Sequence, residues 1–250
     1  MKLYGIATPS HSVLKDKWFL KTLKDDYEVV IVPFDLVRGG NFKDANFLRA
    51  VRAKVDLILR AIQENWNQIF IFSDVDIQFF KPTKRIVLDL MDGKDMVIQR
   101  DSPKGMMCTG FFACRGNEKT LAIWTDVREF MRLNLNEGDQ EAFNAILIDK
   151  ARGISKWQLK LAKWIKRCPL ARRTGINNRL RRWSMPPCNN AYKLKIGFLP
   201  ETFLGGGTLT GRHWDRGRYL RVPQNVVIHH ANWTIGLGNK SPNWSMSEAW

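Results

Sequence analysis

Apolar residues along this chain follow two periods. Short, nearly unbroken apolar runs bounded by turn residues alternate with longer stretches whose apolar positions recur every three or four residues. Residues 2–7 and 27–32 are of the first kind, the latter ended by Pro33. Residues 44–65 are of the second kind: Phe47, Val51, Val55, Ile58, Leu59 and Ile62 share one helical face. Strands are expected again at 68–72, 95–99, 109–114, 196–199 and 226–229. Helices are expected at 117–135 and from Asp139 onward, with Gly138 before it. Strands alternating with helices predict an α/β fold built on a mostly parallel sheet. With 250 residues, the chain is long enough for one sizeable domain of this kind.

The strand at 68–72 carries the strongest chemical signal. Its apolar run ends in Ser73-Asp74-Val75-Asp76, two carboxylates one residue apart. In an open α/β sheet, ligands bind at the carboxyl ends of the strands. Two hard oxygen donors there suit a divalent cation such as Mg²⁺ or Mn²⁺ together with substrate phosphates. Alone, a D-x-D is also a common polar turn. A dehalogenase-type phosphatase, with the first Asp as nucleophile, would need Thr or Val two residues after the second Asp. Gln78 stands there instead.

Two later motifs add to this. Residues 136–144 place Asp139 and Gln140 at the start of a helix. They serve equally well as a helix cap or as a carboxylate and amide facing sugar hydroxyls. Residues 226–236 end a strand in His229-His230, two of the four histidines in the chain, and point to metal or phosphate contact. Beyond a Gly-containing turn, Lys240 can reach a diphosphate as a point charge. The run Gly205-Gly206-Gly207 lacks dinucleotide spacing and reads as a loop.

The charge is uneven. Of a net +16, most comes from residues 150–182, which hold twelve Lys or Arg and no acid. Within it Ile154, Trp157, Leu161, Trp164, Ile165 and Cys168 form one helical stripe. A basic amphipathic insertion at 150–183 fits an anionic membrane surface, or a helix packed on the domain with a solvated charged face. The four cysteines show no C-x-x-C pair and read as free thiols. The opening residues resemble a strand rather than a signal peptide, and no apolar stretch approaches about 18 residues. A cytoplasmic chain, or one peripheral at the inner membrane face, is the expectation.

Together, Ser73–Asp76, Gly138-Asp139-Gln140-Glu141-Ala142-Phe143-Asn144 and His230-Ala231-Asn232-Trp233 with Gly236 and Lys240 resemble the nucleotide-diphospho-sugar transferase family. The resemblance spans roughly residues 1–150 and 190–240. It implies a single GT-A domain over 1–250, with a Rossmann-like, mostly parallel central sheet flanked by helices. It implies transfer of a sugar from a nucleotide-diphosphate donor, UDP by family habit, to a glycan or lipid-linked acceptor, with retention. Asp74, Asp76 and His230 would hold Mn²⁺ or Mg²⁺. Thr8, Pro9 and Ser10 would line the nucleoside pocket. Arg49, Lys54 and Asp74 would contact the donor, as would Thr109 and Gly110 on the strand under its sugar. Asp139 and Gln140 would sit near the reacting carbon. The competing class is a basic protein that binds nucleic acid or an anionic surface without transferase activity. That class leaves the three motifs unexplained, which makes nucleic acid the weaker partner.

Overall fold

The computed structural model describes residues 1–35, 45–101, 106–152, 192–205, 214–215, 218–219 and 225–232. A six-stranded sheet forms the centre, in the order β2–β1–β3–β6–β5–β7. Its strands are β1 (Lys2–Ala7), β2 (Glu28–Pro33), β3 (Ile69–Ser73), β5 (Met96–Arg100), β6 (Met107–Arg115) and β7 (Ile196–Phe198). Only β6 runs against the rest. The expected mostly parallel α/β sheet is the one observed. Four helices accompany it among the described residues: α1 (Ala45–Glu64), α2 (Lys84–Leu90), α3 (Glu118–Leu133) and α4 (Asp139–Arg152).

Both faces of the sheet are covered, as its sequence demands. A strand points successive side chains to opposite faces, so apolar residues at every position require a core on each side. Phe70, Phe72, Phe112, Cys114, Met96 and Ile98 enter one core with α1, α3 and α4. Their neighbours Ile71, Phe111, Ala113 and Val97 enter the other, with Phe19 and with Val87 of α2. Trp124 of α3 links helix to sheet, stacking at 5.4 Å on Phe112 and lying 5.0 Å from Phe143 of α4.

Helix starts follow local chemistry. Asn117 caps α3: its side-chain oxygen accepts the Thr120 N–H at 2.9 Å, and the Thr120 hydroxyl accepts the Asn117 N–H at 3.1 Å. α4 begins at Asp139, where the sequence places it. It is pinned to the head of β6 by Asn144, whose amide receives the Met107 N–H at 3.0 Å and donates to the Met107 carbonyl at 2.8 Å.

Of the shorter elements outside the central sheet, the strand expected at 226–229 forms as Ile228–His230, while the others have no counterpart in the periodicity. After β1 come a 3-10 turn at Pro9–His11 and a π-helical segment at Leu14–Leu20. β4 (Ile77–Phe79), directly after the paired acids, joins β11 (Ile228–His230) and β8 (Phe203–Gly205) in a second sheet, in the order β4–β11–β8. A two-stranded pair, β9 (Trp214–Asp215) and β10 (Arg218–Tyr219), lies between β8 and β11 in the chain. β4 and β8, at three residues each and without a longer apolar run around them, are too short for a period to show.

Among the described residues no helix is long and apolar enough to cross a membrane. Cys108 and Cys114 are buried free thiols. The basic segment 150–183 lies outside the described residues except for Lys150, Ala151 and Arg152, which end α4.

Candidate metal and donor site

The site forms where the two sheets meet. β3 ends at Ser73, and the chain then passes through Asp74 and Asp76 into β4. β11 pairs antiparallel with β4 and sets His230 opposite Ile77. Asp74, Asp76 and His230 thereby each offer a ligand atom, all within 4.8 Å of one another. The His230 Nε2 lies 3.2 Å from Asp76 Oδ1 and 3.7 Å from Asp74 Oδ2. Two carboxylates and an imidazole suit a divalent cation.

A break in the central sheet makes room for the imidazole. β5 pairs Ile98 with Phe112 but Gln99 with Cys108, so residues 109–111 leave the β5 ladder. Gly110 lies in that gap, and its carbonyl accepts the Asp74 N–H at 2.7 Å. A Cβ on Gly110 would stand 2.0 Å from His230 Cε1 and 2.8 Å from Asp74 Oδ2. The glycine is required by the close approach of the ring and the carboxylate.

A buried ion cluster adjoins the acid pair. Lys54, on the core face of α1, is only 6% exposed. Its ammonium lies 3.0 Å from Asp74 Oδ1 and 3.0 Å from Asp139 Oδ2. The Thr109 hydroxyl donates to the same Asp139 oxygen at 2.6 Å. Burial by itself would lower the Lys54 ammonium; Asp139 and Asp74 outweigh it and hold the group above the usual amine range. Burial lifts the Asp74 carboxyl, against the pull of Lys54 and His230. Burial would also lower His230, yet the Cys108 sulfur and the Asp76 carboxylate raise it to about 10. The adjacent His229 points to the opposite face of β11, where burial, reinforced by the charge of His230, drives it down to about 3.

The structure thus brings together Lys54, Asp74, Asp76, Thr109, Gly110, Asp139 and His230. Gln140 is half-buried beside Asp139, and its carbonyl accepts from Asn144 at 2.8 Å. Thr8, Pro9 and Ser10 follow β1; Thr8 and Ser10 lie 2.9 Å apart, oxygen to oxygen, and Thr8 bonds His11 at 2.8 Å. Arg49 is exposed on α1, with no hydrogen bond or ion pair to the site among the described residues. Lys240 lies outside the described residues. Sequence reasoning missed Gln99, which is fully buried and 3.0 Å from His230 Nδ1, and Cys108, 3.5 Å from the same atom. A polar residue inside an apolar strand was the available signal for Gln99.

The sequence pattern of the nucleotide-diphospho-sugar transferases matches residues 16–242. The chain belongs to that family. It is a glycosyltransferase, one that works with a nucleotide-sugar donor. No curated protein matches this transferase. Among solved structures, it is similar to a glycosyltransferase involved in the glycosylation of the major capsid of PBCV-1. That similarity has a TM-score of 0.41 and 12% identity, over 82% of this chain and 85% of that one. The apo-form glycosyltransferase GlyE of Streptococcus pneumoniae TIGR4 is similar with a TM-score of 0.41 and 12% identity, over 60% of this chain and 44% of that one.

Proposed function

We propose that this transferase moves a sugar from a UDP-sugar to a glycan or lipid-linked glycan acceptor, with retention, using Mn²⁺ or Mg²⁺ held by Asp74, Asp76 and His230. The observation that carries the reading is the convergence of those three ligand atoms within 4.8 Å at the end of the sheet. A divalent cation bound there supplies Lewis-acid stabilisation to a diphosphate leaving group.

The chain's own groups divide the remaining work. Asp139 has one carboxylate oxygen held by both Lys54 and Thr109. A carboxylate so engaged is a weak nucleophile and a well-fixed negative charge. It suits orienting the acceptor and stabilising positive charge at the sugar carbon. Retention then needs no strong protein base, because the departing phosphate oxygen takes the acceptor's proton on the same face. Gln140, beside Asp139, would contact the donor sugar, and Thr8, Pro9 and Ser10 the nucleoside. Arg49 and Lys240 would add positive charge toward the phosphates. The basic segment 150–183 supports docking on an anionic membrane at the inner face, where a lipid-linked acceptor would reside; anionic headgroups contribute about 1 kcal/mol per nearby Lys or Arg.

Calorimetric titration of UDP tests the donor site, with GDP in parallel, each with and without Mn²⁺. Wild type should bind UDP tightly only with Mn²⁺, and Asp76→Asn should not bind. Binding of neither nucleotide by a folded protein would refute the reading. Equal co-sedimentation with neutral and anionic vesicles would refute the membrane role.

A further inference from the structure

We propose that Gln99 is a positioning residue: its side-chain oxygen holds the His230 proton on Nδ1, so that Nε2 presents its lone pair to the cation between Asp74 and Asp76. This rests on the metal-site reading above.

The orientation of the Gln99 amide is decided by its other partner. Its Nε2 lies 3.1 Å from the Phe203 carbonyl oxygen, which can only accept. The nitrogen of the amide therefore faces Phe203, and the oxygen faces His230 Nδ1 at 3.0 Å. An amide oxygen also only accepts, so the proton between them belongs to Nδ1. The Cys108 sulfur, 3.5 Å from Nδ1, receives the Asn232 amide at 3.6 Å and serves as a second acceptor. The opposite amide orientation would set two carbonyl oxygens 3.1 Å apart at Phe203 in a buried site, where Gln99 is 0% exposed and His230 2%.

Parallel pairing of β8 with β11 sets Phe203 opposite Ile228 and Gly205 opposite His230. The strand that orients the amide is thus the neighbour of the strand that carries the ligand. Gln99 also sits at the sheet break that admits the imidazole. An outer partner that fixes the tautomer of a ligating histidine is generally worth about 10–100-fold in metal affinity.

The imidazole matters more to Mn²⁺ than to Mg²⁺, which favours oxygen. Replacing Gln99 should therefore change selectivity as well as affinity, and a purely structural role would not move that ratio. The test is Mn²⁺ and Mg²⁺ titration of wild type, Gln99→Leu, Gln99→Glu and Asp76→Asn, with folding checked by circular dichroism. Gln99→Leu should lose about 10–100-fold in Mn²⁺ affinity and less for Mg²⁺. Gln99→Glu keeps an acceptor at Nδ1 and, with its other oxygen protonated toward the Phe203 carbonyl, should retain most of the Mn²⁺ affinity. A folded Gln99→Leu within twofold of wild type for Mn²⁺, or one losing both metals equally, overturns the proposal. Should Gln99→Leu fail to fold, nitrogen-resolved NMR of wild type loaded with diamagnetic Cd²⁺ decides: the remaining His230 ring proton on Nδ1 supports the proposal, and on Nε2 overturns it. If Asp76→Asn binds Mn²⁺ as wild type does, the metal-site reading itself has failed, an outcome distinct from failure at Gln99 alone.

Discussion

The end of the central sheet and the outer faces of its helices are charged with the same residue types, to very different effect. On α3, Arg132 and Glu129 form a pair 2.6 Å long, with side chains 69% and 52% exposed. On α2, Arg85 and Asp89 pair at 3.0 Å while still more open to water. In the site, Lys54 reaches Asp74 and Asp139 at distances no shorter than these, but with its side chain 8% exposed. Distance does not distinguish the two settings; solvent does. Water screens the helix pairs and makes either partner dispensable. Beneath the site Lys54 and Asp139 have given up most of their hydration and depend on each other, with the half-buried Asp74 as the second partner of Lys54. The same burial that makes the cluster costly to break holds its groups in place for a ligand.

Removing the shared cation should produce the largest effect. Lys54→Met takes the buried cation from Asp139 and leaves Asp74 facing only His230 of the two cations beside it, and should destabilise the metal-free protein by about 3–5 kcal/mol in urea unfolding. Saturating Mn²⁺ should restore part of that loss through Asp74; no restoration would mean that the acid pair does not share a field with the metal. Gly110→Ala follows. Its new methyl group must displace His230 or Asp74, costing about 1–3 kcal/mol and abolishing Mn²⁺ binding, read by melting and metal titration together.

The pH response sharpens the contrast further. His230 is raised from an ordinary value of 6.5 to about 10. A raised imidazole stabilises the metal-free fold fully below the unfolded value, and that contribution fades as pH climbs toward the folded one. Cation binding needs the free Nε2 and must expel its proton, so Mn²⁺ affinity should move the opposite way. It should rise by up to about tenfold per pH unit on the alkaline side of neutrality, while the metal-free melting temperature drifts down. His229, driven down to about 3, stays neutral across this range and leaves the trend assignable to His230. Flat Mn²⁺ affinity would break the assignment. The smallest effect belongs to the helix surface: Arg132→Ala should leave both melting temperature and Mn²⁺ affinity unchanged within error.

Where the signal was local, the sequence was sufficient. Leu3 and Tyr4 of β1, Phe70 to Phe72 of β3 and Phe111 to Cys114 of β6 alternate between the two cores, so those stretches read as continuous apolar runs. The face containing Val51, Val55, Ile58 and Ile62 marked α1, and Gly138 before Asp139 marked the start of α4. The acids after β3 were visible because charge follows an apolar strand without a break. Arg49 and Lys54 read alike, as two basic residues on one helix. Only packing made Lys54 a buried strut between two carboxylates and left Arg49 on the surface.

The sequence by itself determined the alternation of strands and helices, the paired acids and the motifs that mark the family, because period and residue order are properties of neighbours along the chain. Tertiary structure alone decided the pairing of β11 with β4, the sheet break at Gln99 and the niche over Gly110. Gln99 and His230, 131 residues apart in the chain, meet only through strand register. A one-residue slip in that register would turn His229 to the acids instead of His230, and nothing local to either strand forbids it.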